Sequence, residues 1–386
     1  MALKNNTWKL NQWYDQDVAG NVSYSGVLEG WSWGYNQNGY LGQNDKTTRS
    51  SPVQIPGSWD RIQGTIGIKN DGTAWAWGIN TRGTLGQNNR TAYSSPIQIG
   101  AGTDWSFIGQ SPAQSYGIKT DGTLWVWGYN EMGVLGQNEN DVHRSSPTQI
   151  PGTTWSSISI GNVDTQGHAL ATKTDGTLWS WGYGDSGELG VNNRTKYSSP
   201  VQVGTETTWS TAYYGVSSTC AGGSYAVKTD GTLWAWGSSN ANLGLNNNTS
   251  YSSPAQIPGT TWKSVHGQPD AAGNRHQYAT RTDGTLWAWG SGTYGALAQG
   301  NTTNYNSPKQ IPGTNWSSRT YGTNSKGGGV FVKTDGTLWS WGANIGGYLG
   351  HNNRTNYSSP KQIGSGTDWY RSGFLFEWVG TGTILQ

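Results

Sequence analysis

The chain has 386 residues, of which 12% are charged, and its formal net charge is only +2. A charged share about half the usual one and so small a net charge exclude nucleic-acid binding driven by phosphate neutralisation, and exclude an acidic tail. A single cysteine, Cys220, excludes an internal disulfide framework and a cysteine-based zinc site.

Reading from the N-terminus, MALKNNTWKLNQWYDQ has no apolar run after Lys4, so no secretory leader is expected there. No stretch approaches roughly 18 consecutive apolar residues, so no membrane-spanning helix and no membrane insertion are expected either. The first landmark to recur is a tryptophan slot patterned on Thr-x-Trp, at Trp8, Trp59, Trp105, Trp155, Trp209, Trp262, Trp316 and Trp369. The spacings stay nearly constant, as one supersecondary unit repeated requires.

Tryptophan pairs form the second landmark. The first begins at Trp31; the others are Trp75/Trp77, Trp125/Trp127, Trp179/Trp181, Trp234/Trp236, Trp287/Trp289 and Trp339/Trp341. Six follow Asp-Gly-Thr, at Asp71, Asp121, Asp175, Asp230, Asp283 and Asp335. Asp-Gly between alternating apolar runs predicts a tight β-hairpin with both central turn residues at positive φ. In Leu233-Trp234-Ala235-Trp236 the tryptophans share one face and Leu233 and Ala235 the other. A strand apolar on both faces must be covered on both, as a blade stacked between neighbours is. These tryptophans therefore read as architecture.

After each pair comes a Gly-containing turn, Leu-Gly, and an Asn-rich connection, clearest in Asn192-Asn193-Arg194-Thr195, then Tyr-Ser-Ser-Pro and a short strand such as Val201-Gln202-Val203. Each repeat thus predicts four strands. Antiparallel strands put the Pro-Gly-Thr and Asp-Gly turns at one face of a ring. The Asn-rich connection and a loop that differs in every copy fall at the opposite face: residues 160–166, 213–222, 266–276 and 321–328. Varied loops on a rigid scaffold are where binding usually resides.

The order of DGTLWxWG, Leu-Gly and Pro-x-Gln-Ile resembles the regulator-of-chromosome-condensation repeat over roughly residues 8–385. The resemblance implies an all-β, seven-bladed β-propeller of four-stranded antiparallel blades. Pairing of N- and C-terminal strands is expected to close the ring, because the run FLFEWVGTGTIL imitates a third strand, a turn and the start of a fourth. The expected division is an N-terminal segment over residues 1–26, for closure and attachment, and a propeller over 27–386. The family's His, seven residues before the turn Asp, is kept only at His168 and His276, which are expected to be packed and hydrogen-bonded. The acidic loops and wedge of the chromatin-bound member, and the Gly-Trp-Arg-His-Thr motif of the plant ultraviolet photoreceptor, have no counterpart, so neither nucleotide exchange nor photoreception is carried over.

No catalytic constellation is found: five scattered histidines, no His-Glu-x-x-His and no phosphate loop. No cofactor and no metal are expected; Asn138-Glu139-Asn140-Asp141 lacks the twelve-residue calcium-loop spacing. The sequons at Asn89, Asn193 and Asn353 read first as structural turns. The expected binding residues lie on the varied loops: Tyr213, Tyr214, His266, Arg275, Arg319 and Tyr321, of types enriched in interface hot spots. The leading functional expectation is a non-enzymatic component exposed on a bacterial virus particle (capsid decoration, tail or receptor-binding protein). Its partners would be other virion proteins or a host-surface protein or glycan, and it would be released by lysis to a virion or extracellular location. The alternative is a cytoplasmic or secreted adaptor or inhibitor binding protein or glycan through one loop face.

Overall fold

The computed structural model describes residues 28–386 apart from 162–166, 213–214, 220–221, 268–274, 319–322, 325–326, 370, 374–380 and 386. β1 (Glu29–Gly34) holds the first Trp pair, and four strands follow it: β2 (Arg49–Gln63), β3 (Ile66–Lys69), β4 (Ala74–Gly78) and β5 (Tyr93–Gln98). The repeat then runs β6 (Trp105–Gln110), β7 (Gln114–Lys119), β8 (Leu124–Gly128), β9 (Arg144–Ile150); β10 (Trp155–Gly161), β11 (His168–Lys173), β12 (Leu178–Gly182), β13 (Tyr197–Gln202); and β14 (Val216–Ser218), β15 (Gly223–Val227), β16 (Leu233–Gly237), β17 (Tyr251–Ile257). It finishes with β18 (Trp262–Gly267), β19 (His276–Arg281), β20 (Leu286–Gly290), β21 (Tyr305–Gln310); β22 (Thr323–Asn324), β23 (Gly328–Val332), β24 (Leu338–Gly342), β25 (Tyr357–Gln362); and β26 (Arg371–Gly373), β27 (Thr381–Leu385).

These strands form six blades, not the seven expected: five four-stranded antiparallel sheets and one seven-stranded sheet in the order β26-β27-β1-β2-β3-β4-β5. The reason is local. Pro56-Gly57-Ser58, between Ile55 and Trp59, is the shortest of the connections that lead from a Pro-x-Gln strand to the next Trp slot. The chain has no room to turn, so β2 continues as one strand, pairing with β1 through Ile55 and with β3 through Trp59. Two double-tryptophan strands, β1 and β4, therefore share a sheet. On the far side of that sheet β27 pairs antiparallel with β1, Gly30 opposite Leu385 and Gly34 opposite Thr381, so strands from the two halves of the chain lie side by side. Residues 1–26 lie outside the described residues.

The blade β10-β11-β12-β13 shows the pattern: a strand that starts at the Trp slot, a strand ending in Lys, the double-tryptophan strand and then the Tyr-Ser-Ser-Pro strand. The opening strands pack on one another, β10 on β14 and β14 on β18, which sets them innermost. There, glycine is required by crowding: a Cβ on Gly161 would stand 2.7 Å from the backbone of Ser218 and Thr219.

The second tryptophan of each pair is buried completely, from Trp33 through Trp77, Trp127, Trp181, Trp236 and Trp289 to Trp341. In all of these but Trp289 the indole N–H donates to a backbone carbonyl of the neighbouring repeat: Trp127 to Thr84 at 2.8 Å, Trp181 to Val134 at 2.8 Å and Trp236 to Glu188 at 2.9 Å. Trp33 donates to the Tyr348 carbonyl at 3.0 Å, which fastens the last repeat to the first.

The Asn-rich connection is part of this mortar. Asn138 and Asn192 adopt left-handed φ values of 58° and 59°, which Asn tolerates better than other side chains. Their backbone N–H groups donate to the carbonyls of Ser198 (2.7 Å) and Ser252 (2.8 Å) in the next repeat, and Asn352 does the same to Ser50 at 3.2 Å. The sequon asparagines are also engaged: Asn193 Oδ1 accepts the Thr195 N–H at 2.9 Å and Nδ2 donates to the Tyr197 hydroxyl at 3.2 Å.

The Asp-Gly hairpins differ from the turn expected for them. Only the glycine has positive φ, 78° at Gly176. Gly176 N–H donates to the Lys173 carbonyl and Lys173 N–H to that of Thr177, a three-residue loop of a type I turn closed by a left-handed glycine. Asp175 instead accepts the Thr177 N–H through Oδ1 at 3.0 Å, which fixes the turn from its side chain. A Cβ on Gly176 would also meet the Thr207 carbonyl oxygen at 2.1 Å, where the turn docks on the next opening strand through Trp209 N–H to Gly176 O, 3.1 Å.

Candidate functional site

The short-turn end of the ring carries a unit that recurs with each Asp-Gly-Thr. Thr177 donates its hydroxyl to Asp175 Oδ1 at 2.7 Å and accepts the indole N–H of Trp179 at 2.8 Å. The same relay holds Trp75, Trp125, Trp234, Trp287 and Trp339 through Thr73, Thr123, Thr232, Thr285 and Thr337. Each of these first tryptophans is thereby fixed in its ring plane while remaining only half-buried.

Between that indole and the one from the slot lies the basic residue two positions before the Asp. Lys173 Nζ is 4.9 Å from the Trp155 ring centroid and 4.1 Å from that of Trp179. Lys228 sits at 4.9 and 4.2 Å from Trp209 and Trp234, Lys333 at 4.8 and 4.4 Å from Trp316 and Trp339. Arg281 fills the place between Trp262 and Trp287 at 4.3 and 4.2 Å. A cation over two aromatic faces is attracted by both ring quadrupoles. Burial pulls the Lys69 ammonium below its usual range, and the Thr177 hydroxyl, with its N–H, holds the Asp175 carboxyl below its own.

Two of these clamps open onto shallow clefts between blades. One, of about 330 Å³, is bordered by Trp155, Lys173, Trp179, Gln149, Asn138 and Pro200. The other, of about 520 Å³, repeats it with Trp209, Lys228, Trp234, Gln202, Asn192 and Pro254. They differ in charge: Lys228 is paired with Glu206 at 2.5 Å, whereas the first cleft has no acidic residue in its wall.

The expected binding residues are placed differently. His266 is fully buried on β18, within 3.0 Å of the Ser264 hydroxyl, so it cannot form part of an exposed loop surface. Burial lowers its pKa to about 3. Arg275 is half-exposed just before β19, donating to the Asn240 carbonyl at 2.9 Å. Tyr213, Tyr214, Arg319 and Tyr321 lie outside the described residues. His168 and His276 are buried; His168 Nε2 stands 2.8 Å from the Ser224 hydroxyl of the next blade, and burial lowers its pKa to about 4. Among the described residues no group of three or more His, Cys, Asp or Glu could hold a metal ion, and no helix is long and apolar enough to cross a membrane. The clamp cations were missed by the sequence reading, although Lys or Arg stands two residues before all six turn aspartates.

The family model for the regulator of chromosome condensation (RCC1) repeat matches residues 121–163, 175–223, 283–324 and 335–369, each match beginning on a turn aspartate. In three dimensions the chain is similar to Prp20p of Saccharomyces cerevisiae, with a TM-score of 0.74 at 16% identity over 94% of this chain and 92% of that one. The chain is an RCC1-like repeat propeller. Human WBSCR16 has the same fold, with a TM-score of 0.73 at 18% identity over 93% of this chain and 99% of that one. Among curated relatives, the ultraviolet-B receptor UVR8 of Arabidopsis thaliana is 27% identical over 202 residues, 51% of this chain and 44% of UVR8. The E3 ubiquitin-protein ligase HERC2 of Homo sapiens is 26% identical over 199 residues, 51% of this chain and 4% of HERC2. The RCC1-like chain thus spans less than half the length of these curated relatives.

Proposed function

We propose that this RCC1-like propeller is a non-enzymatic recognition scaffold that binds a protein partner through the stretches that differ from repeat to repeat. The observation that carries the reading is how the polar groups are used. In the repeated parts the turn Asp and Thr, the asparagines of the connection and the indole N–H groups of the double-tryptophan strands are largely spent on turns and blade junctions. The stretches around residues 213–214, 275 and 319–321 do not repeat from copy to copy, and they hold Tyr213, Tyr214, Arg275, Arg319 and Tyr321. Structural relatives support a protein partner: Prp20p was studied for its binding to Gsp1p and histones, and yeast RCC1 in complex with Kap60.

The test is cross-linking in the native source followed by mass spectrometry. Adducts should map to the connections around residues 213–214, 275 and 319–321. Alanine at Tyr213, Tyr214, Arg275 and Tyr321 should remove them at an unchanged melting temperature; adducts that persist in this variant would sink the assignment. The narrower reading, an exposed component of a bacterial virus particle, draws on the low charge and the uncharged polar surface of the repeats. Mass spectrometry of purified particles tests it: abundance in infected lysate with absence from intact particles rejects it.

A further inference from the structure

The clefts beside the clamps lie between blades, next to the Asn138 and Asn192 junctions and apart from the varied connections. The cleft beside Lys173 has the makings of a small-molecule site. The half-buried Trp179 and Pro200 give apolar surface; Gln149 and the Asn138 Nδ2 group give uncharged hydrogen-bonding groups, and the Ser199 hydroxyl, which donates to Asn138 Oδ1 at 3.2 Å, keeps its oxygen as an acceptor. Its volume of about 330 Å³ is at the small end of ligand pockets, which combine aromatic walls with a few placed polar groups. Lys173 is held at a fixed height by two indoles, which satisfy its charge in part but accept none of its N–H donors in the way an oxygen would. The Asp175 carboxylate in the adjoining turn has Oδ1 committed to Thr177.

We propose that this cleft is a binding subsite for an acidic sugar, a pyranose bearing a carboxylate. The carboxylate would pair with the Lys173 ammonium, the C–H face of the ring would lie against Trp179 and Pro200, and hydroxyls would meet Gln149, Asn138 and Ser199. A single fixed cation suits one carboxylate; an indole and a proline beside it suit a ring with an apolar face, which inorganic phosphate lacks. The sister cleft is the internal control. Its walls repeat those of the first, but Glu206 already occupies Lys228, so an anion is refused there.

The experiment titrates the full chain with glucuronic acid and a glucuronate-containing disaccharide, against glucose, cellobiose and inorganic phosphate, by isothermal calorimetry and tryptophan fluorescence. Glucuronate should bind at least tenfold tighter than glucose and phosphate. Lys173→Gln should weaken glucuronate at least tenfold, while Lys228→Gln leaves it within twofold. Glu206→Gln, which frees Lys228, should add one glucuronate site per chain. Circular dichroism verifies that each variant is folded, and should Lys173→Gln fail to fold, the added site in Glu206→Gln carries the test alone. Equal binding of glucose and glucuronate, binding unaffected by Lys173→Gln in the folded variant, or an unchanged stoichiometry in Glu206→Gln would each overturn the assignment.

Discussion

The two tryptophans of each LWxWG strand stand two residues apart on the same face, yet they do different work. Trp181 is wholly buried and donates its N–H across the blade junction to Val134. Trp179 is half-buried and donates only within its own turn, to Thr177, while its ring faces a lysine. Position along the strand explains the difference: Trp179 stands two residues after Thr177 of the turn, and Trp181 two residues further into the sheet. A shared face therefore does not imply a shared environment; height along the strand separates mortar from clamp.

That contrast can be broken most strongly at the mortar. Trp181→Ala should lower stability by about 3–5 kcal/mol, the usual cost of deleting a buried aromatic side chain, read by urea unfolding; a loss under about 1 kcal/mol would mean the junction repacks freely. A second cut at the junctions uses acid. His168, neutral in the fold with a pKa lowered to about 4 by burial, is charged in the unfolded chain below about 6.5. Unfolded molecules therefore bind more protons between those values, and stability should decline as pH falls from about 6.5 to about 4. His168→Gln should reduce that slope, with His266 and His351, whose pKa values burial also lowers, supplying the rest; an unaltered slope would show that His168 is not responsible.

The clamp should be more forgiving. Trp179→Ala should cost only about 1–2 kcal/mol, from partial burial and the cation–π contact, in the same urea assay; a loss matching that of Trp181→Ala would erase the distinction. Smaller still is the backbone effect at the Asn-rich connection. Asn192→Ala puts a less tolerant residue at φ 59° and should cost about 1 kcal/mol, whereas Asn192→Gly should be near neutral; equal losses in both would shift the cause from φ to the side chain's bond with Ser253.

The repeat, its four strands and the burial of the indoles were legible because each rests on periodicity, which sequence displays directly. What stayed hidden depended on contacts between copies. Asp-Gly announced a hairpin, but the side chain of Asp175 reaching Thr177 selected a three-residue loop with one left-handed residue. The blade count turned on the brevity of Pro56-Gly57-Ser58, a difference of a residue or two that periodicity averages away. His266 read as part of a varied loop because it adjoins one, but it lies on β18, whose interior positions the sequence alone could not bound. The Asn-rich connection read as structural turns, but its backbone bonds into the next repeat, such as Asn192 N–H to the Ser252 carbonyl, left no mark in the sequence. The lysines of the clamp did recur at a fixed offset, the same signature that marked the tryptophans as architecture.

The Trp33 to Tyr348 bond joins residues 315 apart in sequence, whereas the Asp-Gly loops join neighbours. Contacts between near residues form at little entropic cost, and distant ones must wait until the chain between them is compact. Assembly of this molecule is therefore expected to run from hairpins to blades to a curved stack, with the shutting of the circle last and slowest.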